Sequence, residues 1–255
     1  MLLAIDAGNT NVVFALMSED GVRHRWRIST VGNRTADEYM VWLIQLMQLE
    51  NLKPEGITGA IIATVVPQTL FPLQLLCRRY FQCEPLVIGA AEVDLGIAVK
   101  AQDVGADRLV NAVAAHDIYG GALVILDFGT ATTFDVVDEE GAYIGGVISP
   151  GINLSLEALH MAAAKLPRIA VERPERVIGR ATVPAMQSGV YWGYVGLIEG
   201  IVSRIKAEYG APMKVIATGG LATLFYSATD VIEAVDQELT IKGLRMIYQL
   251  NQLKK

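Results

Sequence analysis

Cysteine, histidine and positive charge are all scarce in this chain, and each shortage removes a class of function. Of 255 residues two are cysteines, Cys77 and Cys83. That is too few for a disulfide framework, and no metal ligands lie beside them. The three histidines, His24, His116 and His160, are scattered and read as structural. A formal charge of −6 at pH 7 argues against a general nucleic-acid or membrane-surface binder, which needs a basic face. No apolar run is long enough to span a bilayer. Residues 1–10, MLLAIDAGNT, carry no basic leader and place an acid at position 6. They do not read as a signal peptide, so the expected compartment is the cytosol. Neither Ser149 nor Ser188 sits in a G-x-S-x-G elbow, and no G-x-x-x-x-G-K-[ST] occurs. Hydrolase triads and P-loop nucleotide binding are therefore set aside. No Pro/Ser-rich linker or low-complexity tract interrupts the chain.

What the chain does hold is a repeated turn. Residues 122–133 read ALVILDFGTATT: an apolar run delivers Asp127 to a turn opened by Gly129, and Thr130, Thr132 and Thr133 begin the next apolar stretch. The N-terminus has the same form in LLAIDAGNTNVVFAL, with Asp6, Gly8, Asn9, Thr10 and Asn11. This is a buried strand, a carboxylate, a glycine turn and a hairpin partner, written twice. A third glycine turn, KVIATGG, ends at Gly219 and Gly220. The hydrophobic content of 52% against 19% charged residues suits a compact enzyme.

Taken in order, alternation and apolar runs predict strands over 1–6, 11–17 and 22–29. In the third, Arg23, Arg25 and Arg27 alternate with His24, Trp26 and Ile28, a half-buried strand with a solvated basic face. Thr35 and Glu38 form a capping box that starts a helix. A strand over 57–66, a helix over 70–80, a short strand over 86–88 and a helix from Ala106 to Gly120 follow. The second half predicts strands over 122–127, 132–137 and 143–148, then helices over 153–164 and 184–209. A strand over 213–218, a helix after Gly220, a strand over 231–233 and a helix over 240–250 close it. Each half reads β-β-β-α-β-α-β-α, which divides the chain into domains 1–119 and 120–255.

An ATP phosphate chain with its Mg²⁺ needs backbone N–H donors at close range and a carboxylate for the metal or its waters. Gly8 and Gly129 permit that approach, and Asn9, Thr10, Asn11, Thr130 and Thr132 offer hydrogen bonds to phosphate oxygens. Asp6 and Asp127 put negative charge where a cation would sit. One such turn is matched by a plain hairpin reading, but two copies in a duplicated order favour a nucleotide site. Asp107, in Gly105-Ala106-Asp107-Arg108 at a helix start, is either a capping residue or a general base beside a cationic clamp.

These segments together resemble the type III pantothenate kinases of the acetate kinase/sugar kinase/Hsp70/actin superfamily. The matching text is IDAGNTN (5–11), WRISTVGNRTADEY (26–39), VGADRLVNA (104–112), DFGTATTFD (127–135), GGVISPGI (145–152), AMQSGVYWG (185–193) and ATGGLA (217–222). The resemblance implies two ribonuclease H-like α/β domains with mixed sheets and ATP in the cleft between them. It implies transfer of the ATP γ-phosphate to the primary hydroxyl of pantothenate, the first step of coenzyme A synthesis, by a homodimer. Mg²⁺ with ATP and a monovalent cation, K⁺ or NH₄⁺, are the implied cofactors. Carried over by position, Asp6, Ala7, Gly8, Asn9, Thr10, Asn11, Val12 and Val13 form the phosphate-binding segment, with Asp6 holding Mg²⁺ through water. Thr130, Gly219 and Gly220 contact ATP. Asp127 binds the monovalent cation. Gly105, Ala106, Asp107 and Arg108 line the pantothenate site, Asp107 accepts the proton, and Thr182 contacts pantothenate. One departure stands out: many relatives carry Tyr-x-Asn-Pro shortly before GADR, whereas 96–108 here reads GIAVKAQDVGADR. Two other readings are a kinase for another small hydroxy acid or sugar, and a non-catalytic nucleotide-binding regulator of the same fold. Keeping Asp6, Asp107 and Asp127 together speaks against the regulator.

Overall fold

The computed structural model describes residues 1–162 and 166–254. The chain opens with strands β1 (Leu2–Ala7), β2 (Asn11–Ser18) and β3 (Gly21–Ser29), followed by helix α1 (Ala36–Leu49). Then come β4 (Gly59–Thr64), α2 (Pro67–Tyr80), β5 (Pro85–Val87) and α3 (Ala106–Tyr119). The second run is β6 (Leu123–Phe128), β7 (Ala131–Val137), β8 (Tyr143–Pro150), α4 (Ile152–Ala162) and α5 (Thr182–Tyr209). It closes with β9 (Lys214–Gly219), α6 (Ala222–Tyr226), β10 (Ala234–Val235) and α7 (Leu239–Gln252). The last two residues of the helix expected over 153–164 lie outside the described residues.

Both sheets have one plan. The first runs β3-β2-β1-β4-β5 and the second β10-β9-β6-β7-β8. In each, the first three strands form an antiparallel meander, and two further strands add in parallel beside the first. The duplicated order read from the sequence is thus a duplicated mixed sheet. The strand expected over 231–233 pairs later, at Ala234 and Val235, because the Thr229 hydroxyl accepts the Val231 N–H and keeps that stretch in a turn.

Period-two alternation builds two cores on the first sheet. Leu3, Ile5, Ala7, Val12, Phe14 and Leu16 face α1 and α2, whose start is held by the Thr35–Glu38 capping box. Ala4, Ala15, Met17, Ile61 and Ala63 face the other way, against α3 and α7. On the second sheet Val124, Leu126, Phe128 and Phe134 pack against α5 and Phe225 of α6.

Two units result, and their boundaries differ from the expected domains. One spans Met1–Asp117 and resumes at Glu238, and the other is Ile118–Gln237. The switch near Gly120 falls where the sequence places it, but α7 belongs with the first sheet. Its Ile241, Leu244 and Ile247 fill the core formed by Ala4, Ile61 and Ala63 with Val110 of α3. Gly243 lets the two helices meet, since a Cβ there would overlap the Val110 carbonyl oxygen. Gly243→Ala should therefore destabilise the protein by about 1–3 kcal/mol, the usual cost of overpacking a tight contact. The urea unfolding midpoint of the purified variant checks this, and an unchanged midpoint contradicts it.

Candidate active site

In the first unit β1 carries Asp6 out of the buried layer and β2 returns from Asn11. The Gly8 N–H bonds the Asn11 carbonyl at 3.0 Å, so Asn9 and Thr10 form an exposed two-residue tip. The turn is clamped by Thr30, just past β3. Its N–H donates to the Thr10 carbonyl at 2.9 Å and its hydroxyl to the Gly8 carbonyl at 2.6 Å. Sequence reasoning missed Thr30, although it lies inside the 26–39 match.

Asp107 stands at the same end of this sheet. The Val65 N–H, just past β4, bonds the carbonyl of Ala7, and Val65 packs against Gly105 at the head of α3. Gly105 caps the helix by accepting the Leu109 N–H, so Asp107 is not the capping residue. Its carboxylate accepts the Arg108 N–H at 2.8 Å and overhangs Gly105. Burial pushes the Asp107 carboxyl above the ordinary aspartate value, outweighing the Arg108 N–H bond and the Arg108 charge. That is the direction a general base at neutral pH requires.

In the second unit Asp127 is the penultimate residue of β6. The Gly129 N–H meets the Ala131 carbonyl at 3.0 Å, leaving Thr130 at an exposed tip one residue shorter than the first. Gly151, after β8, occupies the place of Thr30 and donates its N–H to the Thr130 carbonyl at 3.2 Å. Gly219 backs directly onto the carboxylate. Its φ is +89°, and a Cβ would come within 2.6 Å of both Asp127 Oδ1 and the Phe128 nitrogen. Gly220 donates its N–H to the Phe128 carbonyl at 3.2 Å. Asp127, Gly219 and Gly220 are therefore one local structure. Thr132 is not part of the exposed tip: it is buried and its hydroxyl bonds that of Tyr194, which also donates to the Pro150 carbonyl. The reading of Thr132 as a phosphate ligand is corrected accordingly.

Thr182 is the exposed first residue of α5 and rims an apolar groove of about 540 Å³ against Leu159, Ala185, Met186 and Val190. A groove in the first unit, about 830 Å³ along β5 and the ends of α2 and α7, includes neither Asp6 nor Asp107. It has no claim on the chemistry. Among the described residues no three His, Cys, Asp or Glu side chains gather as a metal cluster. The donor set fits a Mg²⁺ that arrives on ATP and meets one carboxylate, and a monovalent ion at the Asp127–Gly219 cradle.

Comparison with known proteins bears on the family and the fold. The family model for type III pantothenate kinase matches residues 2–204. A type III pantothenate kinase of Paramagnetospirillum magneticum is 64% identical over 254 residues, covering 98% of each chain. One of Rhodospirillum rubrum is 62% identical over 255 residues, covering 99% of each. Among solved structures, the activator of the 2-hydroxyisocaproyl-CoA dehydratase from Clostridium difficile, with bound ADPNP, superposes with a TM-score of 0.58 at 12% identity. That match covers 99% of this chain and 95% of the other, and it shows a shared fold.

The Asp107 carboxyl gives a stability prediction of definite sign. A raised folded-state pKa means that the folded protein holds the proton more tightly than the unfolded chain. Ionised Asp107 therefore costs stability above its folded pKa, and that cost vanishes on acidification below the ordinary aspartate value. Asp107→Asn should raise Tm at pH 7.5, with the gain shrinking as pH falls through the raised pKa. A Tm below wild type at pH 7.5 contradicts the assignment.

Proposed function

We propose how the work is divided in a chain that belongs to the type III pantothenate kinase family and phosphorylates pantothenate in coenzyme A biosynthesis. The observation that carries the reading is Asp107: a half-buried carboxylate at a helix start, at the end of the sheet where the first glycine turn lies, its pKa raised by the burial it has. Asp107 takes the proton of the pantothenate primary hydroxyl as that oxygen attacks the γ-phosphorus. The bond from the γ-phosphorus to the β–γ bridging oxygen breaks and ADP leaves. Catalysis in such a transfer is mostly positioning and charge neutralisation.

Residues Asp6 to Val13 hold the phosphates, with the N–H groups of the tip as donors, and Asp6 would hold the Mg²⁺ that arrives with ATP. Thr130, Gly219 and Gly220 receive the rest of ATP, while Gly105, Ala106 and Arg108 form the pantothenate wall with Asp107. Asp127 beside Gly219 would hold the monovalent cation. The ions supply charge neutralisation at the phosphates when bound. A homodimer is favoured by exposed apolar side chains of the second unit: Leu154, Met161, Val177, Ile178 and Val183. On α5, Tyr191, Tyr194 and Ile198 are buried in the core of their own unit.

Two measurements test this. Replacing K⁺ by Na⁺ at equal ionic strength should raise the KM for ATP or abolish turnover, since Na⁺ fits a K⁺-sized cage poorly and sheds water less readily. Equal rates in K⁺, Na⁺ and a bulky organic cation would remove Asp127 from the role. For the dimer, Asp107→Asn should lower kcat by on the order of 10²–10⁴-fold. Mixed with inactive Thr182→Trp and allowed to exchange subunits, it should recover roughly one quarter of wild-type activity, because each hybrid dimer regains one intact site. No recovery despite demonstrated exchange means that Thr182 does not serve the neighbouring subunit.

A further inference from the structure

The register of the first sheet brings one unabsorbed residue into line with Asp6. Asp6 pairs with Ala63 on one side and Val13 on the other, and Val13 pairs with Arg27 of β3. Paired residues share a face, so Ala63, Asp6, Val13 and Arg27 form one row. Neighbouring residues fix which face it is. Trp26 and Ile28 pack toward α1 and α2, whereas Ala63 and Val13 belong to the α3 side, where Asp107 lies. Two strand spacings, about 10 Å, separate the backbones of Asp6 and Arg27, and an extended arginine covers most of that distance.

Three arginines share β3, and they are not equivalent. Arg23 bonds Asp20 and Ser18. Arg25 lies one row deeper, opposite Ala15 and roughly 7 Å farther from the turn. Arg25 and Arg27 are exposed and have no carboxylate partner among the described residues. Two unpaired guanidinium groups lie on one face in a chain of net charge −6, and of the two Arg27 is the nearer to the glycine turn.

We infer that Arg27 is a further residue of the phosphoryl-transfer site, its guanidinium meeting the γ-phosphoryl oxygens across Val13 from Asp6. This rests on the proposed assignment of the Asp6 turn to the phosphates. A planar fork of donors suits equatorial oxygens on which charge spreads in the transition state. Arg25 is the internal control, equal in charge and exposure but out of reach.

The test uses the full chain with ATP, Mg²⁺, K⁺ and pantothenate, scoring kcat, both KM values and Tm for Arg27→Gln, Arg27→Lys, Arg25→Gln and Asp107→Asn. Arg27→Gln should lose on the order of 10²–10³-fold in kcat, as for removal of one preorganised donor. Its KM for pantothenate should stay within about twofold and its Tm unchanged, Arg27→Lys should recover part of the rate, and Arg25→Gln should remain within about twofold of wild type. Normal turnover of Arg27→Gln beside an inactive Asp107→Asn overturns the role of Arg27 alone. Normal turnover of Asp107→Asn instead overturns the active-site assignment beneath it. A loss shared equally by Arg25→Gln, or a fallen Tm, means a general surface or structural effect. A rise confined to the KM for pantothenate means that the anion met is the pantothenate carboxylate, which also overturns the proposal.

Discussion

A carboxylate at the end of a buried central strand sets the conditions for everything around it in both units. β1 and β6 are flanked on both sides by other strands, so Asp6 and Asp127 leave an apolar layer with no room to stray. A charge emerging there must find donors, water or a cation. The chain surrounds it with backbone polar groups instead of side-chain bulk. On the Asp127 side this goes furthest, with Gly219 in left-handed conformation pressed against the carboxylate. On the Asp6 side Thr30 fixes the carbonyls of the tip, which leaves its N–H groups set for an anion.

Asp107 complements this arrangement by being less well solvated than an ordinary aspartate. It gives up hydration for a position at the same end of the sheet as the first glycine turn, and the backbone N–H groups of Arg108 and of Asp107 itself, with the Arg108 charge, do not offset that burial. A base for an alcohol proton benefits from such an imbalance, and stability is what the protein yields for it.

Much of this was legible from residues alone, and the failures share a cause. The strands of both meanders, the capping box at Thr35 and the Asp-x-Gly turns could be read because each is a local pattern with a local reason. The helix over 240–250 was equally legible, but its apolar face says only that it must be covered, and either sheet could do so. Gly243, an apparent weakness in a helix, was the mark of close packing against α3. Thr132 was misread because a hydroxyl in a turn motif looks alike whether it points to solvent or to Tyr194. Thr30 and Arg27 matter through register, and register is a relation between strands that no single segment displays.

The return of α7 to the first sheet has a consequence for how the protein is made. The second unit is one unbroken stretch inserted between two parts of the first. On a ribosome the first unit has its five strands early, yet the face lined by Ala4, Ala15, Ile61 and Ala63 has α3 and the stretch of Ile88, Val93, Leu95 and Ile97 to shelter it but lacks α7. Ile241, Leu244 and Ile247 emerge after the whole second unit has been synthesised. The usual order, in which the N-terminal domain folds first, is thereby reversed: the inserted unit can finish while the unit that begins the chain still waits for its last helix. During that interval the newborn chain displays an apolar sheet face, so its yield in the cell depends on chaperones that mask such surfaces and on the pace of translation through residues 118–252.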